Sequence, residues 1–247
     1  MKQLSIACSL TLALVILGCN GTNNSAPTPG QAQGVFAGSN SNGLSFETII
    51  LPNDQFYAVY GVQSGNILSI SGMIAGQGFS NNGKFDAVVT DFVGTGAVHA
   101  ASVISSYKTG ASISGSIAEF GTNNITFTGT SPLASQFNYN TPAMPSDIAG
   151  NWTGTLQDGT TSVVSISSGT LVGADSGCSF SGTITPDISG KNFFDTSLTY
   201  GGSPCSLPNQ TQSGIAIDFL LSDGVTRQLV VSVASGTSHG TVFVANR

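Results

Sequence analysis

The chain has 247 residues, only 7% of them charged, and its 12 acidic side chains against 6 basic ones leave a net charge of −6. No cluster of Lys or Arg occurs anywhere in it, which argues against nucleic-acid binding and against charge-driven docking on anionic lipid, because both need a basic patch. With 40% hydrophobic residues, 32 glycines and a surface left largely to Ser, Thr and Asn, the composition is that of an exported all-β protein with a core, not of a disordered chain.

Lys2 is followed by an apolar run from Leu4 to Leu17 that is too short to span a bilayer as a helix, and the run ends in Ile16-Leu17-Gly18-Cys19. This pattern resembles the lipobox of bacterial lipoprotein precursors. The resemblance implies a signal peptide over 1–18 and lipidation of Cys19 by palmitate-like acyl chains. Several chains hold a protein on a membrane where one alone is marginal. Asn20 stands where an aspartate would signal retention at the inner membrane, so the implied location is the outer membrane of the cell envelope, on either face.

On this reading Cys8 leaves with the signal peptide and Cys19 is consumed by lipid, and the mature charge falls to −7 as Lys2 is lost. The two remaining thiols, Cys178 and Cys205, are predicted to form one disulfide, as an even remainder in an exported protein suggests. Closing their 27-residue separation (205 − 178) corresponds to about 3 to 4 kcal/mol of loop entropy. A metal or redox pair is disfavoured, because neither thiol lies in a C-x-x-C arrangement and no histidine is near in sequence.

Residues 19–33 lack apolar periodicity and read as a flexible tether after the lipidated cysteine. A second break, Thr141 to Asp147, carries Pro142 and Pro145 and reads as a linker between lobes spanning 34–140 and 148–247. The lobes look like diverged copies. Gly34 to Ser39 aligns with Gly150 to Thr155 at an offset of 116 (150 − 34), and Ser71 to Ile74 with Ser181 to Ile184 at 110 (181 − 71). Phe85-Asp86 aligns with Phe194-Asp195 at 109 (194 − 85), and Ser114-Gly115 with Ser213-Gly214 at 99 (213 − 114). Ordered matches with shrinking offsets are expected of a duplication with unequal loops.

Turn signals at Asn42-Gly43, Asn82-Gly83, Asp158-Gly159 and Asp223-Gly224 separate short alternating stretches, with Ala97 to Ser106 the one ambiguous run. The expected fold is all-β, with two similar antiparallel barrels or sandwiches. Phe36 and Trp152 are expected to plug the opening strand of each copy. Gly236 to Gly240 satisfies G-x-S-x-G, but a strand follows where the nucleophile elbow needs a helix. His99 and His239 fall at non-equivalent places, Asp86 and Asp195 in different lobes, and Gly94-Thr95-Gly96 lacks the rest of a dinucleotide fingerprint. The reading is therefore non-enzymatic, with no cofactor, no metal and no catalytic residue assigned.

At the level of architecture the chain resembles two-lobed surface lipoproteins of Gram-negative bacteria, such as transferrin-binding and factor H-binding lipoproteins. The preferred function is a membrane-anchored interaction protein whose loops and strand edges meet an unknown partner. The alternative is a lipocalin-like carrier of a small apolar ligand. Barrels filled by Phe36, Phe46, Phe85, Trp152, Phe180 and Phe194 favour the first; an internal cavity favours the second.

Overall fold

The structure is a computed structural model that describes residues 31–65, 67–119 and 124–247. The signal peptide, Cys19 and the tether up to residue 30 lie outside the described residues. Residues 31–33, the end of the expected tether, dock against the first lobe. There Ala32 is fully buried, Gln31 N–H donates to Ser80 Oγ at 2.7 Å, and Thr109 Oγ1 donates to the Gln31 carbonyl at 2.8 Å.

Alternation of apolar and polar residues, punctuated by tight turns, produces eight antiparallel strands in each copy. The first set is β1 (Gly34–Asn40), β2 (Ser45–Ile50), β3 (Gln55–Ser64), β4 (Ile67–Asn81), β5 (Lys84–Val93), β6 (Val98–Lys108), β7 (Ser112–Glu119) and β8 (Ile125–Thr130). Each pairs with the next, and β1 closes on β8 through pairs such as Gly38↔Gly129. The β4–β5 hairpin shows the local cause: Asn82 and Gly83 both adopt positive φ, the backbone twist that a two-residue turn requires.

After α1 (Pro145–Ile148), the second set is β9 (Gly150–Leu156), β10 (Thr161–Ser167), β11 (Thr170–Asp175), β12 (Cys178–Pro186), β13 (Phe194–Tyr200), β14 (Thr211–Leu220), β15 (Arg227–Ser235) and β16 (His239–Asn246). It closes into a second barrel through β16 and β9, with Val244 opposite Thr155. The choice between barrel and sandwich is thus resolved in favour of closed barrels, and Ala97 to Ser106 contributes to strand β6. Three of the four sequence matches lie on equivalent strands. The fourth does not: Ser114-Gly115 is on β7, seventh in its barrel, whereas Ser213-Gly214 is on β14, sixth in the other.

Each barrel is closed at one end by its own plug. Phe36, Phe85 and Tyr107 fill the first, and Trp152, Ile148 and Phe194 the second. Trp152 donates to the Ile148 carbonyl at 2.8 Å, and the Arg247 guanidinium lies 4.0 Å over its ring.

A third apolar cluster is shared between the barrels. Ile49, Val59, Met73 and Phe92 on the outside of the first pack with Ile215, Ile217, Val230, Val242 and Val244 on the outside of the second. The passage from 131 to 149 is packed into this arrangement. Phe137 and Tyr139 join the shared cluster, Tyr139 donates to the Ile50 carbonyl at 3.2 Å, and Ala143 and Ile148 enter the core of the second barrel. Glu47 shares the outer face of β2 with Ile49. Its Oε2 is closed off from solvent without a hydrogen-bond partner, and burial pushes its carboxyl up to about 7.

Candidate functional site

The open ends of the barrels hold the cavities. In the first barrel the inward positions alternate along β5 as Phe85, Ala87, Val89 and Asp91, so the same parity that builds the core delivers a carboxylate to its upper end. Above the plug lies a space of about 310 Å³, walled by Phe46, Phe56, Ala58, Ile74, Ile117 and Phe127. Phe46 and Phe127 meet edge to face with ring centroids 5.7 Å apart.

At the rim, Tyr60 from β3 donates its hydroxyl to Asp91 Oδ1 at 2.8 Å, with Oδ2 at 3.0 Å. Gly72 on β4 makes this possible, since a Cβ there would come within 2.3 Å of the Tyr60 oxygen. Asp91 is 4% exposed. Burial is the main cause that raises its carboxyl to about 7; the Tyr60 hydroxyl pulls it down, a hydrogen bond and charge from Glu119 push it up, and His99 lowers it slightly. Tyr60 in turn is held well above the usual phenol range by burial and by Asp91.

The second barrel opens at the corresponding end into a space of about 440 Å³, with Leu171, Phe180, Leu198, Val233 and Phe243 among its walls. Its buried polar group is neutral. Tyr200 and Thr241 both donate to Gln212 Oε1 at 2.7 Å, and Gln212 Nε2 donates to the His239 carbonyl at 3.1 Å. Asp175, also at this rim, is raised above its ordinary value, by burial first and by Asp158 second.

Cys178 and Cys205 are joined in a disulfide with Cα atoms 4.6 Å apart, which ties the 201–210 loop to the start of β12 beside this mouth. The turn from Val93 to Val98 of the first barrel forms part of the same rim, and Val93 lines both cavities.

Of the residues singled out in the sequence, Phe36, Phe85, Trp152 and Phe194 fill the closed ends, whereas Phe46 and Phe180 line cavities. His99 lies at the first mouth and His239 at the second. Asp86 and Asp195 point outward on different barrels, and Gly236 to Gly240 is the turn into β16 and its first residues. Among the described residues no group of three or more His, Cys, Asp or Glu is placed to hold a metal ion, and no helix is long and apolar enough to cross a membrane.

Tyr60, Asp91 and Glu119 were missed as a group by sequence reasoning. The available signal was parity, for Asp91 continues Phe85-Ala87-Val89, and Glu119 continues Ile113-Gly115-Ile117. An acid in register with inward apolar residues is out of place in a filled core.

The fold and these mouths define a two-barrel all-β protein with an internal cavity in each barrel. No protein-family model and no curated protein matches the chain. Among solved structures it is similar to a protein of unknown function from the DUF3598 family of Nostoc punctiforme, at 12% identity over 88% of this chain and 96% of that one, with a TM-score of 0.28. Likeness at that level carries no functional argument.

Proposed function

We propose that the protein is a lipid-anchored, non-enzymatic binder of a small molecule, and that the first barrel holds the ligand. The observation that carries this reading is the cavity of about 310 Å³ above the Phe36 and Phe85 plug, its walls mostly apolar, its polar side chains gathered at the mouth except for Thr48, whose hydroxyl is spent on the Tyr57 carbonyl. That volume falls at the lower end of ligand sites, and the placement of a few polar groups on an apolar lining is how such sites orient what they bind. Closure of both barrels also weakens the reading of an interaction protein that docks through strand edges, because a closed barrel has none to offer.

N-phenyl-naphthylamine, uncharged at neutral pH and fluorescent in apolar surroundings, tests the reading. Saturable fluorescence with the wild type and its loss in Ala58→Phe, which puts a ring into the cavity, is the expected result. Overpacking costs about 1–3 kcal/mol, so a thermal melt must show the variant folded. Equal binding by folded Ala58→Phe and wild type would exclude the first cavity.

The proposed anchor is supported by the lipobox alone. The chain enters the first barrel at its closed end through Ala32, so an anchored protein would have its mouths on the side away from the tether. Cys19→Ala should abolish incorporation of a palmitate analogue in a bacterial host. Label retained by that variant would refute lipidation at Cys19.

A further inference from the structure

The first cavity combines an aromatic lining with two acids, Asp91 and Glu119, at its mouth. Lys and Arg are absent from its lining, and His99, exposed at the rim, is the one basic group there. Lys84 and Lys108, the lysines of this barrel, stand at its opposite, closed end. Asp91 is thus a buried carboxylate held by a phenol and a second carboxyl, an arrangement that costs free energy whenever it is charged.

The second barrel supplies an internal contrast. At the offset of 109 that relates Phe85 to Phe194, Asp91 corresponds to Tyr200 (200 − 91), and the polar group there is a satisfied neutral network. The second mouth has acids too, but Asp175 there is half-buried and Asp158 exposed, so a fully buried acid is particular to the first mouth and not something the barrel needs in order to close.

We propose that the ligand of the first barrel is an organic cation, an amine on an aromatic or alkyl body. The body lies among Phe46, Phe56 and Phe127, and the nitrogen lies at the carboxyls of Asp91 and Glu119. This rests on the reading of the first cavity as a binding site. An ammonium gains twice there: the carboxyls accept its N–H groups, and the ring faces attract its charge in a desolvated setting. A carboxylate ligand meets like charge, and an alcohol brings no positive charge to the carboxyls.

The same geometry sets a pH dependence. Facing Asp91 are Tyr60 from β3, His99 from β6 and Glu119 from β7, while β4 contributes only Gly72 and Ile74. Burial holds the Asp91 carboxyl near 7, so amine binding at lower pH must first displace a proton. Affinity for an amine that stays protonated throughout therefore rises as pH goes from about 6 to 8.

The test uses the intact protein with phenylbutylamine, phenylbutanol and phenylpentanoate competing against N-phenyl-naphthylamine. The expected result is binding of the amine at least about tenfold tighter than the alcohol, with the carboxylate weakest. That ratio should grow with pH and fall toward one in Asp91→Asn and in Glu119→Gln. If either variant fails to fold, the pH profile of the wild type decides alone. Equal binding of amine and alcohol, tighter binding of the carboxylate, or a preference that survives both substitutions overturns the cation assignment while leaving the cavity a binding site. Failure of the wild type to bind the neutral probe at all removes the site, and the assignment falls with it.

Discussion

Glu47 and Asp91 both show a carboxyl pushed up to about 7, yet they occupy opposite sides of one barrel wall. Asp91 faces the cavity and has partners for its oxygens. Glu47 faces the seam between barrels, where its Oε2 has none. A carboxyl raised in the folded state binds its proton more tightly there than in the unfolded chain. The neutral form therefore fits the fold, and stability is lost as pH rises from about 4.5 through 7. Glu47→Gln should keep the neutral shape and remove that loss. Its melting temperature should match the wild type near pH 4.5 and exceed it above pH 7, by about 2–4 °C for each kcal/mol recovered. A variant with the same pH profile as the wild type would show that Glu47 does not titrate at the seam.

The strands carried most of what could be read in advance. Alternation and Asn-Gly or Asp-Gly turns placed the hairpins, because a strand with one buried face writes its period of two directly into the sequence. Where both faces are buried the signal blurs. β15 runs Gln228 to Val233 without an exposed residue, its Leu229, Val231 and Val233 turned into the barrel and its Val230 and Ser232 toward the seam. The shared cluster was illegible for that reason. The repeat failed at its last match through a different cause: Ser114-Gly115 on β7 and Ser213-Gly214 on β14 are two-residue matches of common residue types, and β6, the true counterpart of β14, has no glycine to align. Cysteine counting did succeed. Two thiols 27 residues apart are joined, and the closure ties down the loop beside the mouth of the second barrel.

At the scale of the whole molecule the two barrels stand side by side with both mouths at one end, because Phe92 and Met73 near the first mouth pack against Gly240 near the second. The passage at 141–147, expected as a linker, is occupied by Ala143 and the short helix α1. Asp147 forms an ion pair with Arg227 of β15 at 3.1 Å. Duplication thus produced two cores and a third between them, and the plugs of the first two leave the upper half of each barrel open. Which aromatic fills and which lines a cavity depends on height along the barrel, a coordinate that strand shear sets and that spacing in one sequence does not reveal.

The central claim is that the upper half of the first barrel is a ligand site. A crystal structure of the protein grown with phenylbutylamine tests it most directly. The account predicts ligand density between Phe46, Phe56 and Phe127, with the nitrogen about 3 Å from a carboxyl oxygen of Asp91 or Glu119. A first cavity empty of ligand at saturating amine, or amine found only on the outer surface, would contradict it.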